Sequence, residues 1–173
     1  DWQHVSKDKY FAEHPEYFAL RGGRRVADGI GGVWVCTSHP DVARIFADAY
    51  IAKAKAGARA DTISPPDGRG FCQCEKCTAL DVPGYIEPSN GALCMSDRYV
   101  TFFNAVASLV KKEAPDFLLS FYAYSDYTMP PKNVTQMSDN LCAWVTTIRF
   151  CRLHAFGNPN CESAARYKNV VEG

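Results

Sequence analysis

A helix followed directly by a strand constrains the fold more than any other part of this sequence. From Ser96 to Lys112 apolar residues recur at helical spacing, and Phe117–Tyr124 is a strand that is apolar on both faces. Such a strand is typical of a sheet covered on both sides, and parallel neighbours are joined by helical crossovers. The pattern therefore predicts an α/β fold with a parallel sheet.

The rest of the chain continues this alternation of helices and strands. We predict a short helix over Ser6–His14, a strand at Val33–Cys36, a helix from Ser38 to Gly57, a strand at Asp61–Ser64 and a last strand over Leu141–Arg149. The expected sheet of about four strands is half of a TIM barrel, which usually takes about 250 residues. Because the chain has 173 residues, we expect one domain over 1–173, resembling a partial (half) barrel, with a cysteine-rich loop at 68–95.

Charge and hydropathy exclude two classes of partner. Lys plus Arg and Asp plus Glu both number 19, so the formal net charge is zero and no basic run could follow a phosphate backbone. No stretch approaches the roughly 18 to 20 apolar residues that a bilayer span needs. We therefore expect a soluble protein that binds neither nucleic acid nor a membrane.

Two aspartates follow predicted strands. Asp67 comes after the Asp61–Ser64 strand, and Asp126 comes after the Phe117–Tyr124 strand. The carboxyl ends of parallel strands are where such sheets carry their chemistry, and paired carboxylates are what glycoside cleavage requires. Each residue also fits a turn or a cap, since Pro-Asp-Gly is a strong turn signal.

Other candidate binding residues lie close to the same strand ends. Aromatic rings there suit stacking against a flat ligand, and two arginines with a histidine suit a carboxylate. The predicted substrate-binding residues are Tyr122, Tyr124, Tyr127, Arg149, Arg152 and His154.

The cysteines form the densest local signal. Cys72, Cys74 and Cys77 have a spacing that suits zinc if a fourth ligand is supplied, for which Cys94 or Cys36 is a candidate. The eight cysteines are also an even number, as a set of disulfides would require. Structural zinc and disulfides both remain open from the spacing, and free buried thiols are the third alternative.

Several motifs together resemble one known family. They are His14-Pro-Glu-Tyr-Phe18, Cys36-Thr-Ser-His-Pro40, Asp61-Thr-Ile-Ser64, Asp67-Gly-Arg-Gly-Phe-Cys-Gln-Cys-Glu-Lys-Cys77, Ser96-Asp-Arg-Tyr99, Ser120-Phe-Tyr-Ala-Tyr-Ser-Asp-Tyr127 and Arg149-Phe-Cys-Arg-Leu-His154. This set resembles the central part of a bacterial family labelled domain of unknown function 4838. The resemblance implies a glycoside-hydrolase-like TIM barrel in secreted or periplasmic proteins that process carbohydrates.

The expected function is glycoside hydrolysis on an oligosaccharide or polysaccharide, with Asp67 and Asp126 as the carboxylate pair. A non-catalytic carbohydrate-binding module is the first alternative. A metal-dependent enzyme that uses the cysteine cluster or His154 is the second. Because a partial barrel exposes two sheet edges and an apolar face, we also expect a homodimer.

Overall fold

The computed structural model describes residues 2–29, 31–146 and 148–172, with the backbone alone for residue 169. Its helices and strands, in chain order, are α1 (Lys7–Tyr10), β1 (Ala19–Arg21), β2 (Arg24–Val26), α2 (Pro40–Lys55), β3 (Ala60–Thr62), α3 (Glu75–Thr78), α4 (Ser96–Glu113), β4 (Leu118–Ala123), β5 (Leu141–Val145) and α5 (Glu162–Glu172). Short 3-10 turns occupy Pro15–Tyr17 and Ser125–Tyr127.

A three-stranded parallel sheet organises the fold. The strand order is β3-β4-β5, with β4 in the centre and both neighbours parallel to it. The helix α4 connects β3 to β4, as a parallel pair requires. The predicted α/β class with a parallel sheet is confirmed, and the described strands form an open sheet rather than a closed barrel.

Aromatic side chains join the two long helices to one face of the sheet. Phe46 of α2 meets Phe102 of α4 with ring centroids 5.3 Å apart, and Phe103 meets Phe121 of β4 at 4.8 Å. The Nε1–H group of Trp2 donates to the Ile63 carbonyl at 3.0 Å, so the start of the chain is fastened behind β3. Burial of these rings is the main source of stability here.

The opposite face of the sheet is open. Leu118 and Tyr122 of β4 are 52% and 54% exposed, and Trp144 of β5 is 62% exposed. Alternate residues of a strand point to opposite faces, and only the face that carries Leu119 and Phe121 is buried. The prediction that both faces of this strand are covered is therefore wrong for the described residues.

Three further local expectations are corrected by the structure. The predicted strand at Val33–Cys36 is reduced to one bridge, between Phe18 and Val35, so the parallel sheet has three strands instead of about four. The last strand is shorter than predicted and ends at Val145, although Thr146 still hydrogen-bonds to the Ala123 carbonyl of β4. The polar tail contains α5, which the sequence analysis did not identify.

Candidate functional site

The carboxyl ends of the three parallel strands meet at one edge of the sheet. Hydrogen bonds beyond the strands keep the following segments together: the Tyr122 N–H donates to Ser64 Oγ at 3.0 Å, and Thr146 Oγ donates to the Ala123 carbonyl at 3.0 Å. A cavity of about 470 Å³ opens beside them, lined by Asp67, Gly68, Arg69, Phe71, Asn90, Tyr124, Ser125, Asp126, Tyr127 and Arg149. Both predicted carboxylates therefore face one cavity.

Asp126 is the most strongly held side chain in this cavity. It is 2% exposed, and Arg69 grips both of its oxygens, with Nη2 at 2.9 Å from Oδ1 and Nε at 2.7 Å from Oδ2. The side-chain amide of Asn90 also donates to Oδ1 at 2.5 Å. A bidentate guanidinium pair fixes both the position and the orientation of a carboxylate.

The local backbone explains how Asp126 reaches its position. Ser125, two residues after the end of β4, has φ +52°, in the left-handed region that non-glycine residues rarely adopt. The 3-10 turn that follows places Asp126 over the sheet edge, and its carbonyl accepts the Met95 N–H at 2.7 Å. Strain of this kind is concentrated at functional sites because the surrounding structure must impose it.

Asp67 differs from Asp126 in exposure and in bonding. Its side chain is exposed, and Oδ1 accepts the Gly68 N–H at 3.1 Å, which is an ordinary turn contact. The main chain of Gly31 approaches the Asp67 carbonyl so closely that a Cβ there would lie 2.1 Å from that oxygen. The backbone at Asp67 is thus fixed, while its carboxylate stays accessible.

Tyrosines form much of the remaining wall. Tyr124 and Tyr127 line the cavity, and Tyr122 lines an adjoining cavity of about 370 Å³ that also reaches Asp67. Burial raises the pKa of Tyr127, and the nearby charges of Asp67 and Asp126 add to that increase. All three predicted tyrosines therefore line a cavity with Asp67, and Tyr124 and Tyr127 also share one with Asp126.

The two arginines and the histidine that were predicted to bind a carboxylate do not lie together in the structure. Arg149 lines the cavity, whereas Arg152 and His154 are exposed and are not among its lining residues. The Nδ1 atom of His154 lies 3.1 Å from the Sγ of Cys151 instead. The chain turns after Arg149, so residues close in sequence diverge in space.

Four cysteines converge on one point between the N-terminal segments and the loop after β3. They are Cys36, Cys72, Cys74 and Cys77, whose sulfur atoms lie within 4.8 Å of one another. Three of the four are buried and Cys74 is partly buried. The fourth thiol of the cluster is Cys36 and not Cys94, which is buried elsewhere with its sulfur 3.2 Å from Ser96 Oγ.

The spacing of these sulfur atoms fits a tetrahedral metal site. The Sγ of Cys36 is 3.6 Å from that of Cys74 and 3.7 Å from that of Cys77. Zinc–sulfur bonds of about 2.3 Å imply tetrahedral sulfur–sulfur edges of about 3.8 Å. A disulfide needs about 2.05 Å, and all eight cysteines are free.

Hydrogen-bond donors surround the four-thiol cluster. The Leu20 N–H donates to the Cys72 sulfur at 3.3 Å and Arg25 Nη1 donates to it at 3.8 Å, while the Cys77 thiol donates to Ser38 Oγ at 3.2 Å. Hydrogen bonds with Cys36 and Cys72 lower the pKa of the Cys77 thiol. A positive guanidinium and N–H donors are what a cluster of thiolates needs for its negative charge.

A second, smaller group contains sulfur and nitrogen ligands. The ligand atoms of Cys151, His154 and Cys161 lie within 4.8 Å of one another at the surface. The Leu153 N–H and the His154 ring lower the pKa of the Cys151 thiol to about 6. Neither Cys151 nor Cys161 was singled out in the sequence, where they lie ten positions apart.

The two residues that hold Asp126 lie far from it in the sequence and were not predicted. Arg69 is 57 positions and Asn90 is 36 positions from it along the chain. Arg69 does lie between two glycines directly after Asp67, and that flexible loop is the one signal that pointed to this region.

Comparison with known proteins gives one match. The family model described as Domain of unknown function (DUF4838) matches residues 2–173. No curated protein and no solved structure shows a significant match to the chain. Among the described helices, none combines the length and apolar character needed to cross a bilayer.

Proposed function

The chain belongs to the DUF4838 family, a domain of unknown function, and we propose that it acts as a glycoside hydrolase on an oligosaccharide or polysaccharide. One observation carries the proposal: Asp67 and Asp126 follow neighbouring parallel strands and line the same cavity of about 470 Å³. Glycoside cleavage needs one carboxyl group that protonates the leaving oxygen and another that attacks the sugar or activates water.

The different surroundings of the two carboxyl groups suit these two roles. The bidentate pair with Arg69 and the hydrogen bond from Asn90 fix the orientation of Asp126, and we assign the nucleophile or base to it. Asp67 is exposed and lines the same cavity, so a bound substrate can reach its carboxyl group. We therefore assign proton donation to Asp67.

The remaining lining residues suit a sugar ligand. Tyr124 and Tyr127 offer apolar rings, and Arg149 places a guanidinium group at the same cavity. Rings bind the apolar faces of pyranoses, and a guanidinium pairs with a carboxylate in a bidentate manner. The proposed substrates therefore include glycans that carry acidic sugars.

Turnover on a panel of neutral and acidic glycans tests this function. We expect the natural chain to release reducing ends from at least one glycan, and the double variant Asp67→Asn/Asp126→Asn to be inactive while it retains the fold by circular dichroism. Equal rates for the natural chain and the double variant would contradict the proposal.

The open face of the sheet favours a second candidate, a carbohydrate-binding module. Tyr122 and Trp144 are paired across β4 and β5, and both are more than half exposed. Adjacent rings on a sheet face make a platform for stacking. Glycan binding without turnover, lost in Tyr122→Ala and Trp144→Ala, would favour this module over the enzyme.

For the four-thiol cluster we propose a structural zinc ion. The support is the tetrahedral spacing of the sulfur atoms, their burial and the absence of any disulfide among the eight cysteines. Zinc would fasten the loop after Asp67 to the N-terminal segments. Metal analysis of the purified protein, with Cys77→Ser as the comparison, tests this assignment.

As the alternative to glycan binding at the open sheet face, we propose that a second copy of the chain covers it. Leu118, Tyr122 and Trp144 expose apolar surface there, and β3 and β5 are sheet edges. Sedimentation at micromolar concentration should show a dimer, and a monomer would refute it. A polysaccharide substrate would place the protein in the periplasm or outside the bacterial cell.

A further inference from the structure

We propose that Cys151, His154 and Cys161 form a second zinc site, separate from the four-thiol cluster. Their ligand atoms lie within 4.8 Å of one another, and His154 Nδ1 is 3.1 Å from the Cys151 sulfur. This inference uses no residue of the cavity, so it is independent of glycoside hydrolysis.

The donor set is one that zinc prefers. Zinc binds cysteine sulfur at about 2.3 Å and histidine nitrogen at about 2.0 to 2.1 Å, which places neighbouring donors roughly 3.5 Å apart in a tetrahedron. The three donors lie close enough for small side-chain rotations to reach that spacing. Two thiolates would neutralise the charge of the ion, and the imidazole would bind as the neutral ring.

The backbone holds the two cysteines in place before any metal binds. The Cys151 N–H donates to Ser163 Oγ at 2.7 Å, which ties the segment after β5 to the first turn of α5. The Cys161 carbonyl accepts the Ala165 N–H at 2.9 Å, which fixes Cys161 directly before the first residue of that helix. Each sulfur therefore projects from a fixed backbone, and binding would order few additional residues.

The exposure of the group distinguishes it from the four-thiol cluster. Cys151 and Cys161 are partly buried and His154 is exposed, so solvent reaches the metal position. With three protein ligands, the fourth position of a zinc tetrahedron would be taken by water or by a small exchangeable ligand. We therefore infer a solvent-accessible site that holds zinc more weakly than the four-thiol cluster does.

A difference in zinc content tests the second site without reference to enzyme activity. The full chain is purified under reducing conditions, saturated with zinc and dialysed, and zinc per chain is measured by mass spectrometry. The variants are His154→Ala and the double variant Cys151→Ser/Cys161→Ser. Cys142→Ser is the control, because Cys142 is exposed on β5 and belongs to neither group.

We expect each ligand variant to hold about one zinc ion fewer per chain than the natural chain and the Cys142→Ser control. Cobalt substitution should show a thiolate absorption band that is lost in the same two variants. His154→Ala changes one exposed side chain, so its result does not depend on whether the cysteine variant folds.

Equal zinc content in all four proteins would overturn the proposal. So would peptide mapping that finds Cys151 and Cys161 joined in a disulfide in the zinc-saturated protein. Zinc content and the cobalt band both compare variants that differ at this site alone. Their result therefore stands even if the hydrolase proposal or the four-thiol zinc site is wrong.

Discussion

The four-thiol cluster and the strand-end cavity both draw on the segment between β3 and α4, yet they hold it in different ways. The cluster takes Cys72, Cys74 and Cys77 from the middle of that segment and buries most of their surface. The cavity takes Arg69 and Asn90 from either side of those cysteines and leaves them beside open volume.

This difference suggests different roles: the four-thiol cluster fixes the fold, and the strand-end cavity binds and converts a substrate. The buried cluster accepts hydrogen bonds from the Leu20 N–H and from Arg25, which suits a structural role. Asp126 in the cavity is equally buried but faces a volume that a sugar ring can enter. The segment between β3 and α4 is thus fixed at its three cysteines. Arg69 before them and Asn90 after them contribute to the cavity.

Breaking the anchor should give the largest effect on stability. Cys77→Ser removes one proposed zinc ligand from a fully buried position. Because metal-binding free energy contributes to folding, we expect a loss of about 3 kcal/mol or more, or roughly 10 °C in melting temperature. Thermal unfolding with parallel zinc analysis measures both quantities.

Cys142→Ser is the matched control for this change, since it alters an exposed cysteine outside the cluster. Its melting temperature should stay close to that of the natural chain. Equal melting temperatures for both serine variants would show that the four-thiol cluster is not an anchor.

Asp126→Asn should affect activity and stability together. The amide loses the charge that pairs with Arg69, so we expect a cost of about 1 to 3 kcal/mol. It also cannot act as nucleophile or base, so the rate of glycoside cleavage should fall on the order of a hundredfold or more. Chemical denaturation and a reducing-end assay measure these effects.

The exposed Asp48 of α2 provides a control for Asp126→Asn, because Asp48→Asn makes the same chemical change away from the cavity. It should alter neither rate nor stability. If Asp126→Asn lowers stability but leaves turnover unchanged, Asp126 only anchors Arg69.

Asp67→Asn should separate activity from stability most clearly. The asparagine oxygen can still accept the Gly68 N–H, so the cost in stability should be about 1 kcal/mol or less. A proton donor would nevertheless be lost, and the rate should fall about a hundredfold. An unchanged rate would reduce Asp67 to a turn residue.

The smallest effect is expected on the open face of the sheet. Trp144→Ala removes a ring that is 62% exposed and lies outside the cavity lining. A stacked aromatic pair contributes about 0.5 to 1.5 kcal/mol, so glycan affinity should weaken roughly two- to tenfold, with turnover at saturation unchanged. Isothermal titration together with steady-state kinetics distinguishes these two quantities.

Much of the fold could be predicted because it depends on local pattern. The apolar spacing of α2 and α4 and the apolar strand β4 are visible within single windows of sequence, and the order of these elements predicts parallel pairing. The prediction of a strand at Val33–Cys36 was wrong because these residues fit the strand pattern but form a single bridge, between Val35 and Phe18.

In the candidate site, too, residues placed by local pattern were predicted, and contacts between distant residues were not. The sequence by itself placed Asp67, Asp126 and the three tyrosines at strand ends, because the carboxyl ends of parallel strands share one edge. The tertiary structure alone decided that Arg69 and Asn90 reach Asp126, and that Arg149 faces the cavity while His154 turns to Cys151. Local spacing predicted three cysteines of one cluster, but contacts between residues distant in sequence selected Cys36 over Cys94, because chain packing determines which thiols meet.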